Sequence, residues 1–129
     1  MLQTYLAVMI GGAIGSGLRM AASQWLAAAA GETFPLGTLF VNVTGSFVIG
    51  LFGGLTEPDG PWLVSPLVRQ GVMVGICGGY TTFSSFSLQT LMLARDGEWL
   101  YAGLNIVLST VLCLVAVWLG IVSARLLAR

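Results

Sequence analysis

Histidine and lysine are both missing from this sequence, and charge of either sign is scarce: 8% of its 129 residues are charged, against about 25% in a soluble domain. Each shortage excludes something. Five arginines balance five carboxylates to a formal net charge of zero, so no basic patch awaits a nucleic-acid backbone, and nucleic acid is not an expected partner. Without histidine there is no imidazole to ligate a metal or shuttle a proton. Cysteine is limited to Cys77 and Cys113. Both lie deep in apolar runs, where a free thiol behaves as a small hydrophobe, so neither a disulfide nor a cysteine metal site is expected. No Asp, Glu or His stands in the middle of an apolar run. That removes the carboxylate switch of proton-coupled pumps and leaves no nucleophile and base for an enzyme. The expectation is a passive function.

What fills the chain instead is apolar. Hydrophobic residues make up 57% of it and the mean hydropathy is +0.93. A hydrocarbon layer about 30 Å thick needs roughly 20 helical residues to cross it, and four runs of that order are present, at about 4–30, 36–55, 64–94 and 99–127. They predict an all-α integral membrane protein with a single transmembrane domain over 1–129 and no soluble part. The first run has no basic stretch before it and no separate domain after it, so it reads as a span rather than a signal peptide. Gly31 to Pro35 forms the first turn. Glu57-Pro58-Asp59-Gly60-Pro61 is the strongest loop signal, because two prolines cannot continue a helix and two carboxylates seek water. Trp62 follows at a plausible interface, and Arg95 to Glu98 makes the last loop.

The third run is too long for one upright span and is interrupted by Gly78, Gly79, Tyr80, Thr81 and Thr82, so a broken helix is expected there. Orientation is nearly undetermined by charge. Arg69, Arg125 and Arg129 fall on the side of the termini and Arg19 and Arg95 toward the other, a balance compatible with a narrow single preference or with insertion both ways and antiparallel self-pairing. Gly11 and Gly15, and then Gly71, Gly75 and Gly79, recur every four residues, the spacing that lets membrane helices touch backbone to backbone. Four helices enclose little room for a path, so conduction calls for an oligomer.

Polar side chains inside hydrocarbon are functional candidates by default, and three clusters stand out. Thr38, Asn42 and Ser46 share one helical face; interhelical hydrogen bonding explains the two hydroxyls equally well, whereas an amide at depth has several groups to satisfy. Residues 78–86, Gly-Gly-Tyr-Thr-Thr-Phe-Ser-Ser-Phe, set glycines before a run of hydroxyls bracketed by Phe83 and Phe86. A broken helix at mid-membrane is tolerated only where it is buried or lines a watery cavity, and its freed carbonyls can hold a cation. Tyr101, Asn105, Ser109 and Cys113 form a third stripe. Neutral N–H and O–H donors present positive ends and suit an anion, and aromatic ring edges are positive too.

These segments resemble the Fluc family of fluoride channels, also known as CrcB. Residues 78–86 are similar to the family's GG-x-TTFS-x-F segment. Gly37-Thr38-Leu39-Phe40-Val41-Asn42 resembles its GTL-x-VN segment, and Gly12 to Arg19 resembles its glycine-rich first helix ending in Arg. The match runs in order through the whole chain. The resemblance implies a channel of the inner (plasma) membrane that exports fluoride from the cytoplasm. It implies an antiparallel, dual-topology homodimer with two pores and a structural sodium ion at the dimer centre. The sodium would be held by the main-chain carbonyls of Gly78 and Thr81 of each subunit. Phe83 and Phe86 would be ring-edge fluoride ligands, Asn42 a pore donor, and Ser84, Ser85, Asn105 and Ser109 the polar track. Arg19 would anchor the first helix or charge a vestibule, and Thr38 and Thr82 would stand nearby. Departures are Gln89 where many members carry Glu, Ser85 for a frequent Thr, Tyr80 for Leu or Phe, and Cys113 for a hydroxyl. The competing readings are a proton-coupled small multidrug exporter, which needs an acid in the first span that is absent here, and a structural membrane subunit whose polar stripes are only packing.

Overall fold

The computed structural model describes all 129 residues and is entirely helical, with no strand. Helix α1, Leu2–Ala30, and helix α6, Trp99–Leu127, have 29 residues each, about 43 Å at 1.5 Å per residue. Helix α2, Leu36–Leu55, has 20 residues, about 30 Å. These three are long and apolar enough to cross a membrane. Gly31 closes α1 with φ 83° and Gly97 turns the last loop with φ 79°, a left-handed conformation that glycine adopts without penalty.

The region expected to hold a third run is divided, so it contributes no single helix of membrane length. Ser65 caps its start, its hydroxyl accepting from the Val68 N–H at 3.3 Å with Pro66 in the first turn, a favoured N-terminus. Helix α3, Pro66–Gln70, runs into a π-helical segment, Gly71–Cys77, and then α4, Gly78–Tyr80. Thr81 and Thr82 are extended, with φ/ψ of −85°/158° and −152°/119°. Helix α5, Phe83–Arg95, follows. Of the five residues expected to interrupt helix, the two threonines leave it, while Gly78, Gly79 and Tyr80 remain helical. The glycines serve packing instead.

The helices are assembled through small residues. The most extensive contact is between α2 and α6, where a Cβ on Gly50 would strike the Val117 carbonyl and one on Gly120 the Phe47 carbonyl and the Leu51 N–H. The two glycine stripes noted in the sequence face each other. Gly11 lies against Gly71 and Gly75, Gly15 against Ile76 and Tyr80, and Gly79 against Gly12, so α1 packs on the π-helical segment and α4 at backbone distance. A lipid bilayer supplies no hydrophobic drive between helices, which leaves this close packing to hold them. At the far end the Arg69 Nε–H donates to the Thr56 hydroxyl at 3.2 Å, placing a cation at the C-terminus of α2, where the helix dipole favours it.

This packing makes a first prediction. A Cβ at Gly75 would sit 2.9 Å from the Val8 carbonyl oxygen and 3.0 Å from Gly11 Cα, backbone atoms that cannot swing aside. Gly75→Val should destabilise the fold by about 1–3 kcal/mol, the usual penalty of overpacking, read as a lowered thermal-unfolding midpoint in detergent. Gly17, with nothing within 4 Å of its Cβ position, is the control, and Gly17→Ala should not lower the midpoint. Equal midpoints for Gly75→Val and the unsubstituted chain would show that α1 does not pack there.

Candidate functional site

The site is organised by the extended pair. The Thr81 N–H and Thr81 hydroxyl both donate to the Cys77 carbonyl, at 3.0 Å and 2.9 Å, finishing the helix before it. Thr82 is gripped from α2: its N–H donates to Asn42 Oδ1 at 2.7 Å and its carbonyl accepts from Asn42 Nδ2 at 2.9 Å. One amide thus replaces both partners that a helix or strand would have given Thr82, and its orientation is fixed by having to meet a donor and an acceptor together. The Thr82 hydroxyl then starts α5 by accepting from the Ser85 N–H at 3.1 Å, an N-cap. Gly45 allows the approach, since a Cβ there would run into the Thr81 methyl.

The carbonyls of Gly78 and Thr81 are among those freed by this arrangement. In a continuous helix Gly78 would receive the Thr82 N–H and Thr81 the Ser85 N–H; those donors are diverted to Asn42 and to the Thr82 hydroxyl. Gly78 is exposed and Thr81 half-buried. No three His, Cys, Asp or Glu gather anywhere in the fold; the oxygen atoms at the interruption are uncharged, main-chain carbonyls beside the Thr81 and Thr82 hydroxyls and Asn42 Oδ1. Uncharged carbonyl oxygens are the donor type that suits a hard monovalent cation.

Beside the interruption lies a groove of about 490 Å³ that draws the polar stripes together. Asn42 and Ser46 reach it from α2, Thr81, Thr82, Phe83 and Phe86 from the interruption and α5, and Ser109 and Cys113 from α6. Its remaining lining includes Thr110, a hydroxyl outside the stripes read from the sequence. No charged side chain lines it. The Phe83 and Phe86 rings are 5.3 Å apart between centroids and inclined by 51°. Phe86 is half-buried, whereas Phe83 is 79% exposed.

The other expected residues are placed differently. Asn105 is buried, 1% exposed, and stitches α6 to α5: its Nδ2 donates to the Thr90 hydroxyl at 2.8 Å and its Oδ1 accepts from Ser109 at 3.3 Å. Thr90 in turn donates to the Phe86 carbonyl at 2.7 Å. Thr90 was not singled out in the sequence, although its position four residues after Phe86 is the spacing at which a hydroxyl meets that carbonyl. Ser84 is exposed and lies 3.3 Å from the Thr82 hydroxyl; Ser85 is half-buried. Thr38 lines a second cavity, about 530 Å³, with Glu32, Thr33, Gln89 and Asp96, where Gln89 Oε1 is shielded and unpartnered. Arg19 is half-buried on α1 and lines neither cavity.

Residues 6–121 match the family described as CrcB-like protein, Camphor Resistance (CrcB). The fluoride-specific ion channel FluC of Rhodospirillum rubrum is 57% identical over 124 residues, covering 96% of both chains. The protein of the same name from Opitutus terrae is 60% identical over 120 residues, 93% of this chain and 91% of its own. That of Paramagnetospirillum magneticum is 57% identical over 126 residues, 98% of each.

Proposed function

The chain belongs to the CrcB family, and from that premise we propose that it works as a fluoride-selective passive channel letting fluoride leave the cytoplasm. It is a multi-pass protein of the bacterial inner membrane and not an enzyme. The small-exporter and structural-subunit readings fall with the family assignment. The observation that carries the proposal is the convergence of Asn42, Ser46, Phe83, Phe86 and Ser109 on one groove without a charged side chain. Such walls offer hydrogen atoms to an anion and no full charge to trap it.

Residues 1–129 act as one channel domain of four spans, the third broken at Thr81–Thr82. The working unit is an antiparallel homodimer of dual topology with two fluoride paths. An exposed Gly78 beside an extended backbone makes a poor lipid face, because freed backbone groups in hydrocarbon require cover by protein. A second copy supplies it, and the near-even division of arginines agrees with insertion in both directions. A structural sodium ion at the dimer centre, held by the Gly78 and Thr81 carbonyls of both subunits, supplies the positive charge that holds the two interruptions together. Along each path Asn42 retains one N–H beyond its bond to Thr82 and Ser46 offers a hydroxyl, Phe83 and Phe86 present ring edges, and Ser109 serves the path once its hydroxyl turns from Asn105 Oδ1 toward the groove. Ser84, Ser85 and Asn105 extend the polar track, while Thr38, Thr82 and Arg19 position or charge its approaches.

The test is fluoride efflux from proteoliposomes of the purified protein. Vesicles loaded with potassium fluoride, made permeable to potassium by an ionophore and diluted into fluoride-free medium should empty rapidly, while chloride-loaded vesicles should not. Retention of fluoride at the rate of protein-free vesicles ends the proposal.

A further inference from the structure

Tyr80 is the last helical residue before the extended pair. Its hydroxyl lies 2.8 Å from Thr44 Oγ1 on α2. Thr44 carries one hydroxyl proton, and Oγ1 lies 2.7 Å from the Phe40 carbonyl, to which it donates. Tyr80 is therefore the donor and Thr44 the acceptor. The ring itself rests on Gly45, where a Cβ would come within 3.0 Å of Cδ1, so the phenol is held along its length as well as at its tip.

The placement of this bond matters more than its strength. Asn42 holds Thr82 on one side of Thr81, and Thr44, two residues along the same helix, holds Tyr80 on the other. The Thr81 peptide is suspended between two tethers to α2, and Gly78 lies two residues before Tyr80 on the tethered turn. We propose that Tyr80 and Thr44 are positioning residues for the cation: their hydrogen bond fixes the direction of the freed Gly78 and Thr81 carbonyls. Neither side chain touches the ion. The inference rests on the sodium site proposed above and extends it to a pair of side chains outside the coordination sphere.

The experiment is a sodium titration of the thermal-unfolding midpoint of the purified detergent-solubilised protein, with N-methylglucamine as the replacing cation. Tyr80→Phe removes one hydroxyl and keeps the ring on Gly45. Thr44→Val removes the acceptor at constant shape, and Thr44→Ser retains it. The sodium concentration giving half of the stabilisation should rise by about fivefold or more in Tyr80→Phe and in Thr44→Val. It should stay within about twofold of the unsubstituted value in Thr44→Ser, and the double variant Tyr80→Phe, Thr44→Val should match the single ones because both remove the same bond. A merely structural bond would lower every midpoint alike and leave the half-point unmoved, which overturns the proposal. If the unsubstituted protein is itself indifferent to sodium, the site reading fails and the positioning role fails with it; this result is told apart by appearing before any substitution is made.

Discussion

Phe83→Ile and Phe86→Ile should each slow fluoride efflux by at least about tenfold, equivalent to about 1.4 kcal/mol on the barrier, while leaving the protein folded and its oligomeric state unchanged. Isoleucine keeps most of the apolar bulk and removes the ring edge, so the substitution separates electrostatics from packing. The two positions differ in an instructive way. Phe83 is 79% exposed in the isolated chain, so its replacement disturbs little of the subunit's own packing. Phe86 is half-buried and its carbonyl accepts from Thr90, a backbone bond that survives the change. A loss at both sites with intact thermal stability identifies the rings as part of the path. Undiminished flux in both variants removes the ring-edge role and leaves the hydroxyls and Asn42 to carry the ion alone.

Spans and stripes were legible because they depend on local periodicity. The apolar runs at 36–55 and 99–127 became helices with those bounds, since charge, proline and glycine at their ends leave few alternatives. The glycines at 11, 15, 71, 75 and 79 announced close contact, and they lie on the facing surfaces of α1 and the π-helical segment with α4, Gly11 directly against Gly71 and Gly75. What the sequence could not give was which polar groups meet across the bundle. Asn42 and Thr82 are 40 residues apart, Thr44 and Tyr80 are 36, and Asn105 and Thr90 are 15; no spacing rule connects them. The interruption falls inside the expected 78–82 stretch, but which of its residues would leave the helix was not legible, for a related reason. Glycine is the residue expected to break a helix, yet Gly78 and Gly79 stay helical, with Gly79 packed on Gly12. The threonines leave the helix because Asn42 takes up the Thr82 N–H and carbonyl and the Thr82 hydroxyl takes up the Ser85 N–H. That competition is tertiary, and periodicity carries no trace of it.

The same competition makes Asn42 the most consequential single residue. Asn42→Ala removes the acceptor of the Thr82 N–H and the donor to the Thr82 carbonyl together. Leaving two backbone groups unpaired in a protein interior costs about 1–3 kcal/mol each, roughly 2–6 kcal/mol in all if nothing relaxes. A relaxation is available: the Thr82 N–H can return to the Gly78 carbonyl, as in a continuous helix. That would mend the backbone at the expense of a freed oxygen and redirect the chain that carries Phe83 and Phe86. Either outcome removes the channel geometry, so Asn42→Ala should reduce fluoride efflux by about a hundredfold or more, about 2.7 kcal/mol. Asn42→Asp should fare no better despite its size, since it can accept from the Thr82 N–H but sets an anionic oxygen against the Thr82 carbonyl and a fixed negative charge beside an anion path. Amide hydrogen exchange separates the two routes to failure. Rapid exchange at Thr82 marks an unpaired N–H, and slow exchange marks its return to helix. Wild-type flux and wild-type exchange in Asn42→Ala would mean that the grip on Thr82 is incidental and that the interruption is held by something else.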